Sequence, residues 1–141
     1  MKKQLILLLV TLFSVAALYA QTTNEKIHYT GYNEEVNFDY YSNWEFEDGY
    51  SWITMRPDGA NNFIEIHWDD LTVTEAEKIE ELKADNIILT PAVFNKMNAY
   101  KASARSYFIF KNNRCYNLVW GVTGTTYAKQ IDETIRSFSI K

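Results

Sequence analysis

The sequence predicts an α+β fold, a largely antiparallel sheet flanked by helices in an α/β/α layered sandwich. Three observations lead there. Strand-like segments with period-two alternation succeed one another between Ile27 and Trp68. The period then switches to that of an amphipathic helix at Thr74. A hairpin-like pair of apolar runs follows, and the chain closes on a second helical stripe.

The first element is a targeting segment. Met1-Lys2-Lys3 is basic, Leu5 to Leu18 is strongly apolar, and Tyr19-Ala20 precedes the polar Gln21. A positive start, an apolar middle and a small residue at the end are the parts of a secretory signal peptide. Cleavage is expected between Ala20 and Gln21. Leu18 at position −3 suits the cleavage pocket less well than alanine, so a cut after Ala17 is an alternative. The apolar run is shorter than the roughly 20 residues that span a bilayer, which disfavours a retained anchor. No cysteine follows the run, which disfavours a lipoprotein. The expected organisation is a signal peptide (1–20), a loose polar leader (21–26) and one domain (27–141). The expected location is periplasmic or extracellular, soluble after cleavage and without a stable membrane span.

Within the domain, Ile27 to Tyr32 reads as a strand. Val36, Phe38 and Tyr40 alternate with Asn37, Asp39 and Tyr41 in a second. Ser51 to Arg56 makes a third, stopped by the turn chemistry of Pro57-Asp58-Gly59. In Phe63 to Trp68, Ile64, Ile66 and Trp68 share one face while Glu65, His67 and Asp69 share the other. Thr74-Glu75-Ala76-Glu77 is a capping box. Ala76, Ile79 and Leu82 then line one side of a helix ending near Asp85-Asn86, and a turn is expected at Thr90-Pro91. Ala99 to Phe110 reads as one long strand, Lys111 to Arg114 as a turn, and Cys115 to Val122 as a strand. Ala128, Ile131, Ile135 and Phe138 form the stripe of the final helix.

This order and three local motifs resemble the PsbP/Mog1/DcrB-like superfamily, with the chain as a small secreted bacterial member. Phe38-Asp39-Tyr40-Tyr41-Ser42-Asn43-Trp44 looks like the family's opening strand and aromatic corner. Asn95 to Lys101 resembles the entry into its central hairpin. Tyr127 to Ile131, Ile135 and Ser137-Phe138-Ser139-Ile140 look like its C-terminal helix. Tyr41 stands where proline is usual, and Met97-Asn98 where a glycine-containing turn is common. The resemblance implies a sheet flanked by helices and action through binding another macromolecule. None of the family's binding residues carries over.

Removing residues 1–20 also removes Lys2 and Lys3, leaving twelve basic against eighteen acidic residues, a net charge of −6. That disfavours nucleic acid as a partner, because binding it requires a positive face. The single cysteine, Cys115, excludes an internal disulfide, and its strand setting points to a buried thiol. Glu65, His67 and Asp69 on one strand face suggest a metal site or a hydrolase centred on His67. Same-face neighbours lie about 7 Å apart, too far to share one ion without a second element, so a solvated polar face is the stronger reading. His28 has no assignable partner. No catalytic motif is present, and no cofactor, metal or catalytic residue is expected.

Aromatic residues make up 16% of the chain, and they cluster between the second and third strands at Trp44, Phe46, Tyr50 and Trp52. Trp44, Trp68 and Trp120 are expected in the core. Tyr50 and Trp52 are the candidate binding surface, since exposed aromatics anchor partners. The functional expectation is a non-catalytic accessory domain that contacts another envelope or extracellular protein. A carbohydrate- or lipid-binding module using the exposed aromatics is the alternative, ahead of the His67-centred enzyme. The oligomeric state is left open.

Overall fold

The computed structural model describes residues 25–31 and 33–141. The expected signal peptide, its Ala20–Gln21 cleavage site and the leader up to Asn24 lie outside the described residues. The described elements are β1 (Lys26–Gly31), β2 (Val36–Tyr41), β3 (Glu45–Asp48), β4 (Trp52–Asp58), β5 (Asn62–Asp70), α1 (Glu75–Ala84), β6 (Thr90–Phe94), β7 (Met97–Ser103), β8 (Ser106–Lys111), β9 (Arg114–Gly121), α2 (Ala128–Ser137) and β10 (Ser139–Ile140). They form a three-stranded sheet, β1-β2-β10, and a seven-stranded sheet, β3-β4-β5-β9-β8-β7-β6. Neighbouring strands in both sheets run antiparallel.

Asparagine sets the tight hairpins. Asn95 and Lys96 (φ 46° and 66°) link β6 to β7, and Asn112 and Asn113 (φ 54° and 57°) link β8 to β9. Two consecutive left-handed residues match the right-handed twist of the flanking strands, and asparagine tolerates that conformation better than most residues. Asn95 also reaches across the fold. Its side-chain amide donates to the carbonyls of Ile135 (2.7 Å) and Phe138 (2.9 Å), at and just past the C-terminal end of α2.

The core lies between the large sheet and a layer made of α2 and the small sheet. Alternation along β5 turns Ile64, Ile66 and Trp68 to one face, where the register sets Leu118 and Tyr116 of β9 beside Ile66 and Trp68. Ile53 and Met55 of β4 and Ile109 of β8 extend that face. Phe38 of β2, Ile131 and Ile135 of α2, Phe138 and Ile140 close over it. Removing this apolar surface from water, at about 25 cal/mol per Å², is the main force holding the layers together.

The layered sandwich expected from the sequence is not what forms. The fold is β-rich, and its helices do not cover both faces of a central sheet. Helix α2 packs on the core, but α1 has no fully buried residue. The Thr74–Glu77 capping box does form, and α1 ends with Asn86 left-handed and Ile87 N–H bonded to Leu82 O. Its apolar stripe is too short to roof the sheet. Extra strands account for the rest of the difference. β3 escapes periodicity because Glu45, Glu47 and Asp48 leave Phe46 as its one apolar contact. β6 contains Pro91, which an edge strand accepts because a proline there removes no ladder bond. Pro57 likewise does not stop β4, which shifts register between Met55 and Asp58. The long strand expected from Ala99 to Phe110 is instead a hairpin that turns at Ala104-Arg105.

Candidate functional site

The turn between β3 and β4 presents the candidate aromatics. Gly49 N–H donates to Trp52 O at 2.8 Å, closing the turn with Tyr50 and Ser51 at its tip. Ser51 O accepts from Trp68 N–H at 3.0 Å, which pins the turn to the end of β5. Tyr50 is 89% exposed. Trp52 is half-buried, with its indole so close over Gly49 that a Cβ there would meet it at 2.2 Å. Of the two candidate surface residues, Tyr50 alone stands in solvent.

Tyr50 borders a cleft of about 230 Å³ lined also by Ser51, Trp68, Asp69 and Asp70. One wall is held from behind. Arg114 Nε donates to Asp70 Oδ1 at 2.8 Å and Arg114 Nη1 to Glu35 Oε2 at 2.6 Å. The buried Tyr116 adds its hydroxyl to the same Glu35 oxygen at 2.8 Å. Tyr116's hydrogen bond, with Arg114 behind it, holds the Glu35 carboxyl below the usual carboxylate range against the opposing effect of burial. Burial pushes the Tyr116 phenol up to about 12. The cleft therefore offers an exposed phenol ring beside carboxylates, a surface suited to a cationic or polar protein loop.

Of the other sequence candidates, Asp69 lines this cleft and His67, Glu65, His28 and Cys115 do not. His67 lies on the outward face of β5, its side chain 49% exposed, with Nε2 3.3 Å from Glu65 Oε2. Glu65 also faces Arg56 Nη2 at 3.9 Å. Among the described residues, no three histidine, cysteine, aspartate or glutamate side chains come together as a metal site. His28 Nδ1 lies 2.7 Å from Asp39 Oδ1 across the β1–β2 pair. Asp69 stands opposite Cys115 and His67 opposite Asn117. Cys115 is buried, and desolvation pushes its thiol up to about 11, the reverse of an activated nucleophile.

Trp44 and Trp68 are buried as expected, and Trp44 Nε1 donates to Gln130 Oε1 of α2 at 3.3 Å. Trp120 is only half-buried and lies parallel to Tyr107 at 6.0 Å. Sequence reasoning did not place Asp69 or Asp70 beside Tyr50, because they meet only when β4 pairs with β5. The turn in the Asn95–Lys101 segment is made by Asn95-Lys96 and not by Met97-Asn98, which begin β7.

No protein-family model and no curated protein matches the chain. A crystal structure from Bacteroides thetaiotaomicron VPI-5482 is similar to it, with a TM-score of 0.52 and 13% identity over 84% of this chain. The chain spans about half, 49%, of that structure's length. At this identity the likeness concerns fold alone, and it does not bear on the PsbP/Mog1/DcrB-like resemblance. Among the described residues, no helix is long and apolar enough to cross a membrane.

Proposed function

We propose that the chain is an exported, non-catalytic binding domain that acts through protein–protein contacts, with Tyr50 as its anchor. The observation that carries this reading is the 89% exposure of Tyr50 at a turn tip bordering an open, carboxylate-lined cleft. An aromatic ring in water gains from burial against a partner, and tyrosine is among the residues that dominate such contacts. The burial of Cys115, which pushes its thiol up to about 11, supports binding over cysteine-based catalysis. Export rests on the basic, apolar and small-residue succession of residues 1–20.

The test is site-specific photocrosslinking in cells that produce the protein. A benzophenone amino acid replaces Tyr50 in one variant and Lys129, whose side chain is 88% exposed, in another. A discrete adduct formed from position 50 and absent from position 129 is expected. Identical adduct patterns from the two positions remove Tyr50 as the anchor.

A further inference from the structure

We infer that the recess between the start of α1 and the β6–β7–β8 end of the large sheet is a binding site for a neutral sugar ring. The recess has a volume of about 360 Å³, within the range of about 300–1,000 Å³ usual for small-molecule pockets. Alternation along β7 turns Ala99 into the core and Asn98 and Tyr100 to the opposite face. The register sets Pro91 of β6 beside Tyr100 on that face. Phe110 of β8 and Glu75, the first residue of α1, join the lining. Tyr50 belongs to the opposite end of the same sheet, so this recess is separate from the Tyr50 cleft.

The chemistry of the lining selects the ligand. The Tyr100 and Phe110 rings meet edge to face at 85°, with centroids 5.7 Å apart, and both are half-buried. Such a corner offers a flat apolar surface to the C–H face of a pyranose, with polar groups beside it. Tyr100 donates its hydroxyl to Glu75 Oε1 at 2.8 Å, which fixes the ring and leaves Glu75 Oε2 to accept from a ligand hydroxyl. The Asn98 side chain makes no hydrogen bond among the described residues, so its amide keeps both donors and an acceptor for the recess. A sugar ring uses all of these groups at once, because its apolar face is bounded by hydroxyls that both donate and accept. A purely apolar ligand would desolvate Asn98 and Glu75 without replacing their bonds to water, which is unfavourable. Glu75 is the charged group of the lining, and its negative charge selects against acidic sugars.

The experiment titrates the full chain with D-glucose, D-galactose, D-mannose and N-acetyl-D-glucosamine up to tens of millimolar. D-glucuronate and cyclohexanol serve as controls. Binding is followed by backbone and side-chain amide chemical shifts. Expected are saturable shifts with at least one neutral sugar, confined to the start of α1 and to β6, β7 and β8, and a weaker response to both controls. Asn98→Ala should weaken that binding by about threefold or more with an unchanged melting curve, since the Asn98 side chain is exposed and bonded to no other residue. Glu75→Ala is the second variant and should weaken it to a similar degree. No saturable shift with any of the four neutral sugars, shifts elsewhere, equal binding of either control, or undiminished binding in both variants overturns the inference. The Tyr50 reading is tested separately, since crosslinks at position 50 can fail while a sugar still binds beside Tyr100.

Discussion

Tyr116 of β9 and Glu35, in the turn between β1 and β2, meet at 2.8 Å although 81 residues separate them. The bond ties the small sheet to the large one at a point where the phenol is fully buried and the carboxylate half-buried. Arg114 completes the arrangement by donating to the same Glu35 oxygen at 2.6 Å.

A hydrogen bond to a charged group contributes about 1.5–3 kcal/mol, so Tyr116→Phe should lower unfolding stability by that amount in urea titration. The pH dependence follows from the direction of the shift. The folded state lowers the Glu35 pKa, so it binds a proton less readily than the unfolded chain. Its contribution is complete above the ordinary carboxylate pKa and is lost as pH falls through the lower folded value. Acid unfolding monitored by tryptophan fluorescence should show a smaller stability loss over that window in Tyr116→Phe than in the parent chain. An unchanged profile would assign the effect to other carboxylates.

Asn95 serves two purposes that substitutions can separate. Its backbone is left-handed at φ 46°, and its side chain bonds two carbonyls at the end of α2. Asn95→Gly keeps the turn and loses the two bonds, and should cost about 1–2 kcal/mol. Asn95→Ala loses the same bonds but keeps a Cβ in the left-handed region without asparagine's tolerance of it, and should cost about 1 kcal/mol more than Asn95→Gly. Thermal melts of the two variants give the difference directly.

Thr134 is 2% exposed, and its hydroxyl oxygen has no hydrogen-bond partner. It borders Phe38, Met55, Ile64 and Leu118 in a space with no room for a water molecule. Thr134→Val removes the stranded hydroxyl and keeps the side-chain shape. It should be neutral or stabilising by about 1 kcal/mol, seen as a raised urea midpoint with the same slope.

Tyr50 and Trp44 should behave oppositely on truncation. Tyr50 is 89% exposed and Trp44 5%. Tyr50→Ala should change stability by less than about 0.5 kcal/mol, whereas Trp44→Ala should cost about 3–5 kcal/mol through the cavity it leaves. Equal losses in denaturant titration would contradict the exposure of Tyr50 on which the binding proposal stands.

Several elements were legible before folding because their signal is local. Alternation in Val36–Tyr41 and Phe63–Trp68 placed β2 and β5, and the Thr74–Glu77 box placed the start of α1. The weaker elements were hidden. Phe46 is the single inward contact of a charged edge strand, and Pro91 reads as a turn until its position at the sheet edge is known. The two-residue β10 exists through its pairing with Asn37 and Val36 alone.

The candidate site divides in the same way. That Tyr50 sits in a segment bounded by glycine and serine, away from the alternating apolar positions, was readable along the chain. That Trp52 folds back over Gly49, and that Asp69 and Asp70 arrive beside Tyr50, required the β4–β5 pairing.

Local covalent order determined by itself the strand periods, the helix cap, the basic and apolar start of the chain and the net acidity, because each depends on neighbours a few residues apart. The tertiary structure alone decided the two-sheet, β-rich architecture, the thin cover given by α1, the Glu35–Tyr116 tie and the acidic cleft at Tyr50. Each of these depends on residues far apart in sequence, whose meeting is set by register and by how much apolar surface a helix can bury.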